Sequence, residues 1–373
     1  MKIIVGGGVS GLWLAAELKA RGIHCCVLDR GPLGQGQTLA SQGMIHGGTK
    51  YALNGLLTRA ADVIGAMPKR WRTALNGEGS VNLSAVTLER SDQLLWSTDS
   101  MASNLVGFFA SQAMRSRMTR IDATSEPAFE SSAFKGHLYR LMEPVLKLDT
   151  LIPAFQQQLS GQLFEATVSA LTCRHGQVIG VETDQGALEG EVILTAGEGT
   201  EALLRSAGFE TPRMQRRPLA MGVIALKQPI AGIFGHQLGA TSKPKITLST
   251  HEIDSTQYLY VGGQVAEDGI DKTDTEQQSA IQEAVTRGLH WLDLKIDSVD
   301  VFRINRAEPD ASGHRPDHAF VDAIAGCWVC WPTKLALAPA LADAILPRLQ
   351  PNPQTPLPTW PVATTGRYPW RLN

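Results

Sequence analysis

The chain has 373 residues, 43% of them hydrophobic and 19% charged, with a formal net charge of −2. That length suggests two domains and that composition a folded globular protein, while the near-neutral balance excludes the global basic field of a nucleic-acid binder. The five cysteines are odd in number and irregularly spaced, which argues against a disulfide framework, and no apolar run approaches the roughly 20 residues of a membrane span.

The chain opens on Ile3, Ile4 and Val5, a short apolar run that predicts a buried strand. A strand starting so early leaves no room for a signal or transit peptide. With the cysteine usage it leads us to expect a cytoplasmic location. Gly6, Gly8 and Gly11 follow as G-x-G-x-x-G, with Val9 and Ser10 between the last two. Leu12, Ala15, Ala16 and Leu18 then recur at helical spacing, and Gly22 is placed to end the helix. A second strand is predicted over Ile23 to Leu28, ending at Asp29 and Arg30.

These residues suit a dinucleotide. Gly6 permits the tight turn, Gly8 lets backbone approach the diphosphate, and Gly11 brings helix against strand. The helix N-terminus carries about half a positive charge toward the phosphates. Asp29 can accept hydrogen bonds from ribose hydroxyls. No second G-x-G-x-x-G occurs in the chain. The candidates are therefore NAD alone, or FAD reduced directly by an organic substrate.

Next comes "GQGQTLASQGMIHGGTKYAL", residues 34–53, where Gly43, Gly47 and Gly48 surround His46 and precede Lys50 and Tyr51. Glycines so dense suggest that something flat passes the backbone. Further on, "LDTLIPAFQQQL" (148–159) predicts a helix with Asp149 as N-cap, and residues 164–186 a strand pair turning at His175-Gly176 and Gln185-Gly186. "VILTAGEGTEALL" (192–204) predicts a strand running into Ala196-Gly197, and "CWVCWPTKLALAPALADAIL" (327–346) a strand followed by a long helix. Between these lie segments 78–145 and 209–304, rich in alternating strand patterns with helical stretches at 99–118 and 274–292.

The loop around His46 resembles the second signature of the D-amino-acid oxidase superfamily of FAD enzymes, and its HGG followed by a basic residue and tyrosine looks like the glycerol-3-phosphate dehydrogenase version. The later segments match the same family in order. The resemblance implies an α/β fold: a Rossmann-like FAD-binding domain with a parallel sheet (1–77, 146–208, 305–373) and an α+β substrate domain on a mixed or antiparallel sheet (78–145, 209–304). It implies FAD, held more readily non-covalently than covalently. Thr38, Ser41, Gln42, Gly43 and Met44 would follow its diphosphate and ribityl chain, Gly47 the ring, Val168 the adenine, and Ala196-Gly197 a second close approach. Thr333, Lys334 and Leu335 would bring a helix N-terminus and a cation to the flavin pyrimidine edge. Relatives usually carry glycine in that last turn.

By the same resemblance, Arg306, with Arg303 as runner-up, sits where relatives place a carboxylate-binding arginine. A guanidinium suits that task because it grips a carboxylate with two parallel bonds. Lys50 could hold a further anion, and His46 could orient substrate or move a proton. Tyr51, Tyr258 and Tyr260 are pocket candidates. The expected activity is FAD-dependent oxidation of a carbon bearing nitrogen or oxygen in a small anionic substrate: an amino acid, a 2-hydroxyacid or a glycerol-phosphate-like molecule. The electron acceptor would be oxygen or a quinone. Alternatives are an NAD-dependent dehydrogenase and a non-catalytic flavin binder. No metal and no nucleic acid are expected. Cys327-x-x-Cys330 reads as structural because i and i+3 of a strand face opposite ways. "PKRWRTAL" (68–75) reads as a solvated helix face, with lipid contact as a further possibility, and the proline-rich tail as a surface strap.

Overall fold

The computed structural model describes residues 1–48, 59–98, 118–239, 243–312, 314, 316–351 and 355–371. Lys50, Tyr51 and nearly all of the helix expected at 99–118 lie outside them. In chain order the elements are β1 (Lys2–Val5), α1 (Val9–Ala20), β2 (Cys25–Asp29), α2 (Arg59–Leu75), β3 (Leu88–Arg90), β4 (Gln93–Ser97), β5 (Met118–Ile121), β6 (His137–Leu141), β7 (Val145–Leu146), α3 (Leu148–Gln158), β8 (Leu163–Glu165), β9 (Val168–Arg174), β10 (Gln177–Thr183), β11 (Gly186–Glu189) and β12 (Glu191–Leu194). They continue with α4 (Thr200–Ser206), β13 (Met214–Leu226), β14 (Gly235–Gln237), β15 (Ile246–Ile253), β16 (Thr256–Gly262), α5 (Gln264–Glu267), α6 (Asp274–Gly288), β17 (Ile296–Pro309), β18 (Phe320–Ile324), β19 (Cys327–Trp331) and α7 (Ala338–Ile345).

A six-stranded sheet runs β18-β19-β12-β1-β2-β8, parallel except for the edge strand β18. Its inner strands β1, β2, β12 and β19 are mostly apolar because both faces are covered. Ile4, Cys25, Val27, Ile193 and Cys330 enter one core with α1, α3 and α7. Ile3, Val5, Cys26, Leu28, Val192, Leu194, Cys327 and Val329 enter the other. Cys327 and Cys330 thus point into different cores, as the strand period requires, and burial pushes the Cys327 thiol up to about 12. Among the described residues no group of side chains could hold a metal ion.

The second sheet has eight strands in the order β17-β13-β16-β15-β14-β4-β6-β5. It is mixed: β14 and β4 are parallel and the other pairs antiparallel. One face packs Ile224, Leu259 and Val261 against Ile281 and Val285 of α6, a helix opened by a Thr273–Glu276 capping box. The other face is the one that meets the loop after β2.

Three local expectations need correction. Asp149 is not the cap of α3. Lys147 holds that position, and Asp149 lies in the first turn, where its charge still favours the helix end. The final helix is short: a 3₁₀ turn over Leu335–Leu337 precedes α7. The aromatic of the 68–75 segment does not face outward. Trp71 is fully buried and donates to Ala336 O at 3.0 Å, while Arg70 pairs with Asp343 at 2.8 Å, so no basic-aromatic patch forms there. Elsewhere, β17 runs unbroken past residue 304 within the larger sheet.

The proline-rich tail is a strap. It pairs with the outer edge of β8 at Phe164↔Val362, and Leu33 exchanges backbone bonds with Thr364 and Gly366 at 2.8 and 2.9 Å. It ends with Tyr368 stacked on Trp370 at 4.9 Å, and Trp370 lies 4.5 Å from Tyr260 of β16.

Candidate functional site

The turn after β1 has room for very little. Gly6 has φ 114°, and a Cβ there would stand 2.5 Å from Thr195 O. A Cβ on Gly11 would stand 2.1 Å from Gly6 O, so α1 rests directly on the turn. Gly8 is different, because a Cβ there would meet only Thr38 Oγ1, at 3.4 Å. The space opens where α1 begins. No side chain caps that helix through Gly8, Val9 N donates to Thr38 Oγ1 at 3.0 Å, and Ser10 Oγ is buried without a hydrogen-bond partner. A backbone cradle at an uncapped helix start fits a diphosphate.

Asp29, at the tip of β2, accepts from Gly7 N at 2.6 Å and Gly31 N at 3.3 Å. Burial pushes its carboxyl up, against the pull of those amides and of the exposed Arg30. Its position and remaining lone pairs suit ribose hydroxyls. Across the turn, Thr195 Oγ1 donates to Gly6 O at 2.9 Å, and Ala196 leads to Gly197 at φ 55°, whose carbonyl accepts from Trp331 Nε1 at 3.2 Å. Val168 starts β9 just beyond Ala166, whose amide is tied to Asp29 O at 2.8 Å. Thr333 takes φ 62°, an uncommon conformation for a β-branched residue, and its hydroxyl donates to His318 O at 3.2 Å. Lys334 caps, and Leu335 opens, a 3₁₀ turn that precedes α7.

The loop after Thr38 is stitched from several sides. Ser41 Oγ donates to Thr38 O at 2.8 Å, and Gln42 Nε2 donates to Thr247 O at 3.0 Å and Tyr260 O at 2.9 Å. Gly43 has φ 70°, and its Cβ would stand 2.3 Å from Leu146 O. That glycine is required by the approach of β7. Met44 bridges to Val145 and packs with it and Phe234, so its side chain serves the core. Gly47 N donates to Glu143 Oε1 at 2.7 Å.

His46 projects from this loop with 41% of its side chain exposed. Its Nδ1 lies 3.8 Å from Glu143 Oε2, and its ring centroid lies 5.2 Å from that of His236. His236 is buried, with Nδ1 2.8 Å from Thr247 Oγ1 and Nε2 3.3 Å from Gln93 Oε1. Both contacts are met by the neutral tautomer that donates from Nε2 and accepts at Nδ1.

Strand register places the other candidates. His236 pairs with Thr247, Thr247 with Gly262, Tyr260 with Val223, and Arg217 with Arg306. By the two-residue period, His236, Thr247, Tyr260, Val223, Met221, Leu219, Arg217 and Arg306 all leave one face of the sheet. Arg306 thus shares a face with the partner of His46. Its Nε donates to Arg217 O at 3.2 Å, and its Nη2 pairs with Glu267 at 3.5 Å rather than with Glu308 or Asp310. Arg303 leaves the opposite face. It is fastened to Asp274 at 2.9 Å and to the carbonyl of Lys272 at 2.6 Å, so it ties down a loop. Tyr260 is fully buried and donates to Ala40 O at 2.8 Å, which makes it an anchor of the loop and not a pocket wall. Tyr258 is half-buried on the same strand face, beside the aromatic cluster.

Several residues had no signal in the sequence. His236 stands alone in a three-residue strand, Glu143 sits in a turn, and Arg217 and Glu267 become partners of Arg306 only through long-range pairing. Period-two alternation through Arg217, Leu219 and Met221 marks a shared face, but nothing local says which face meets the cofactor loop.

A dinucleotide cradle on a parallel sheet, facing a mixed sheet across a histidine-bearing loop, defines a two-part flavin oxidoreductase fold. The profile of a family described as FAD dependent oxidoreductase matches residues 2–344. The chain is 39% identical over 381 residues to a probable FAD-dependent oxidoreductase of Pseudomonas aeruginosa, PA4991, covering 99% of this chain and 97% of that one. The crystal structure of PA4991 superposes with a TM-score of 0.86 and covers 100% of this chain and 97% of that one. An L-amino acid deaminase from Proteus vulgaris (TM-score 0.68, 13% identity, 94% of this chain and 90% of that one) and a glycine oxidase from Bacillus cereus (0.64, 15%, 94% and 96%) share the fold. The chain therefore belongs to the FAD-dependent oxidoreductase family, and FAD is its cofactor. The nicotinamide alternative is set aside.

Proposed function

We propose that this FAD-dependent oxidoreductase takes two electrons, formally a hydride, from a carbon bearing an amine in a small carboxylate substrate, and delivers them to oxygen or a quinone. When bound, FAD supplies the two-electron acceptor. The residues in and around the cradle, Gly6, Gly8, Val9, Ser10, Gly11, Asp29, Thr38 and Ser41, would hold its diphosphate and ribose, with Val168, Ala196 and Gly197 beside it and Lys334 close to the pyrimidine edge. A cation there favours the negative charge that reduction leaves on the ring. The single observation behind the substrate class is Arg306, half-buried on the sheet face that also carries the histidine partner of His46. It would hold the carboxylate. That related folds are named for action on amino acids supports an amine over a hydroxyl donor.

The division into a cofactor part and a substrate part is our reading as well, with the second extended to Pro309 because β17 stays in the larger sheet. Among the described residues no helix is long and apolar enough to cross a membrane. A cytoplasmic site of action is the corresponding proposal. Anaerobic mixing with amino acids, 2-hydroxyacids and glycerol phosphate is the test. Bleaching of the flavin by an amino acid supports the reading, whereas bleaching by a hydroxy compound alone overturns it.

A further inference from the structure

The loop from Leu33 to Ser41 is held from two sides. On the side of the cradle, Leu33 rests against the turn after β1, where a Cβ on Gly7 would stand 2.3 Å from its Cδ2, and Gly34 N donates to Gly7 O at 2.9 Å. Thr38 Oγ1 accepts from Val9 N at 3.0 Å, and a Cβ on Gly197 would stand 3.4 Å from Gln37 Nε2. The loop therefore lies across the cradle, touching both the turn after β1 and the one after β12.

On the other side lies the strap. Leu33 exchanges backbone bonds with Thr364 and Gly366, and Gln35 closes a second pair, donating from Nε2 to Arg367 O at 3.1 Å and accepting from Arg367 N at 3.0 Å. Gly366 is so close to the loop that a Cβ there would stand 2.6 Å from Leu33 O and 2.8 Å from Leu39 Cδ1. Beyond Arg367 the strap buries Tyr368 and packs Trp370 on Tyr260, which in turn donates to Ala40 O at 2.8 Å. One end of the loop is thus tied to the strap directly and the other through Tyr260.

The loop is built of turns, with no helix or sheet ladder of its own, so its position is set by what it touches. An FAD with its diphosphate in the cradle would lie beneath it. Such a cofactor leaves only when the loop swings out, and the loop swings out only after the strap releases Leu33 and Gln35.

We propose that residues 361–370 are a latch on the cofactor loop, which sets the rate at which FAD enters and leaves and takes no part in the chemistry. This rests on the reading given above that Thr38 and its neighbours lie against the cofactor. The latch is a strand pairing at β8 and an aromatic clasp at Trp370, with the Gln35–Arg367 bonds between them. Coupling of this kind is reciprocal: a cofactor that holds the loop down also holds the strap down.

The test loads the protein with radiolabelled FAD and chases it with excess unlabelled FAD. Gln35→Ala removes both bonds to Arg367 and Trp370→Ala removes the clasp, and each should release the label about tenfold faster than wild type, with the visible spectrum of the still-loaded protein unchanged. Trp291→Phe deletes a 2.8 Å bond to Ala128 O in the core on the far face of the larger sheet, and should release FAD at the wild-type rate. Trypsin cleavage after the exposed Arg367, read by mass as loss of residues 368–373, should be slower with FAD bound than without. If both strap variants release FAD at the wild-type rate while Thr38→Val releases it faster, the latch is wrong and the reading of the loop survives. If Thr38→Val also changes nothing, that reading falls too. Release from Trp291→Phe as fast as from the strap variants, or cleavage indifferent to FAD, likewise overturns the latch.

Discussion

The two sheets differ in how their chemistry is encoded. Around the six-stranded sheet, function resides in backbone: Gly6 and Gly11 are fixed by clashes of 2.5 and 2.1 Å that any Cβ would create. On the eight-stranded sheet it resides in side chains that meet only through register, such as Arg217 with Arg306, or His236 with a loop nearly two hundred residues earlier. Backbone demands are local and leave a motif. Register is set by the whole sheet and leaves none.

The largest expected effect tests the first half of that contrast. Gly11→Val places atoms within 2.1 Å of Gly6 O, so the protein should purify without flavin absorbance and lose about 3 kcal/mol or more of stability. Arg306→Met tests the second half. It should keep FAD yet slow anaerobic flavin reduction about a hundredfold, in line with the roughly 2–5 kcal/mol lost when one partner of a desolvated charge pair is truncated.

Acid should separate the parts further through His251 of β15, which is buried against Tyr260, Tyr368 and Trp370 and bonded to Ser249 at 2.9 Å. Burial lowers it to about 4 from an ordinary 6.5, with Lys147 adding to the effect. The unfolded chain binds that proton more readily, so stability falls as pH drops from about 6.5 to about 4, by up to roughly 3 kcal/mol, and is steady above that window. Chemical denaturation at stepped pH should show the slope, and His251→Phe should flatten it. Smaller again is Tyr260→Phe, which deletes the 2.8 Å bond to Ala40 O and should cost about 1 kcal/mol, read as weaker retention of FAD on dilution. Smallest is Arg303→Met. It should leave carboxylate binding unchanged, and a substrate defect in that variant would break the assignment of faces.

The same distinction explains what could be read from the sequence. The strand, glycine turn, helix and Asp29 at its offset are consecutive, so the cradle and the cofactor class were legible. His46 was legible as a residue, but Glu143 and His236 beside it were not, since a turn and a three-residue strand carry no periodic signal. The demand on Gly43 was hidden for a related reason. That glycine answers to Leu146 O, a contact invisible from its own neighbourhood. Arg303 and Arg306 looked alike in "RINRAE", and three residues along a strand put them on opposite faces.

The strap has a consequence for solubility. β8 is the outermost strand of its sheet, and Val362 and its neighbours cover the hydrogen-bonding edge that β8 would otherwise offer to solvent. A protease cut within 355–360 would bare that edge together with the apolar faces under Tyr368 and Trp370. An uncovered strand edge recruits further chains. Nicked protein should therefore give itself away by light scattering, as growing assemblies joined edge to edge.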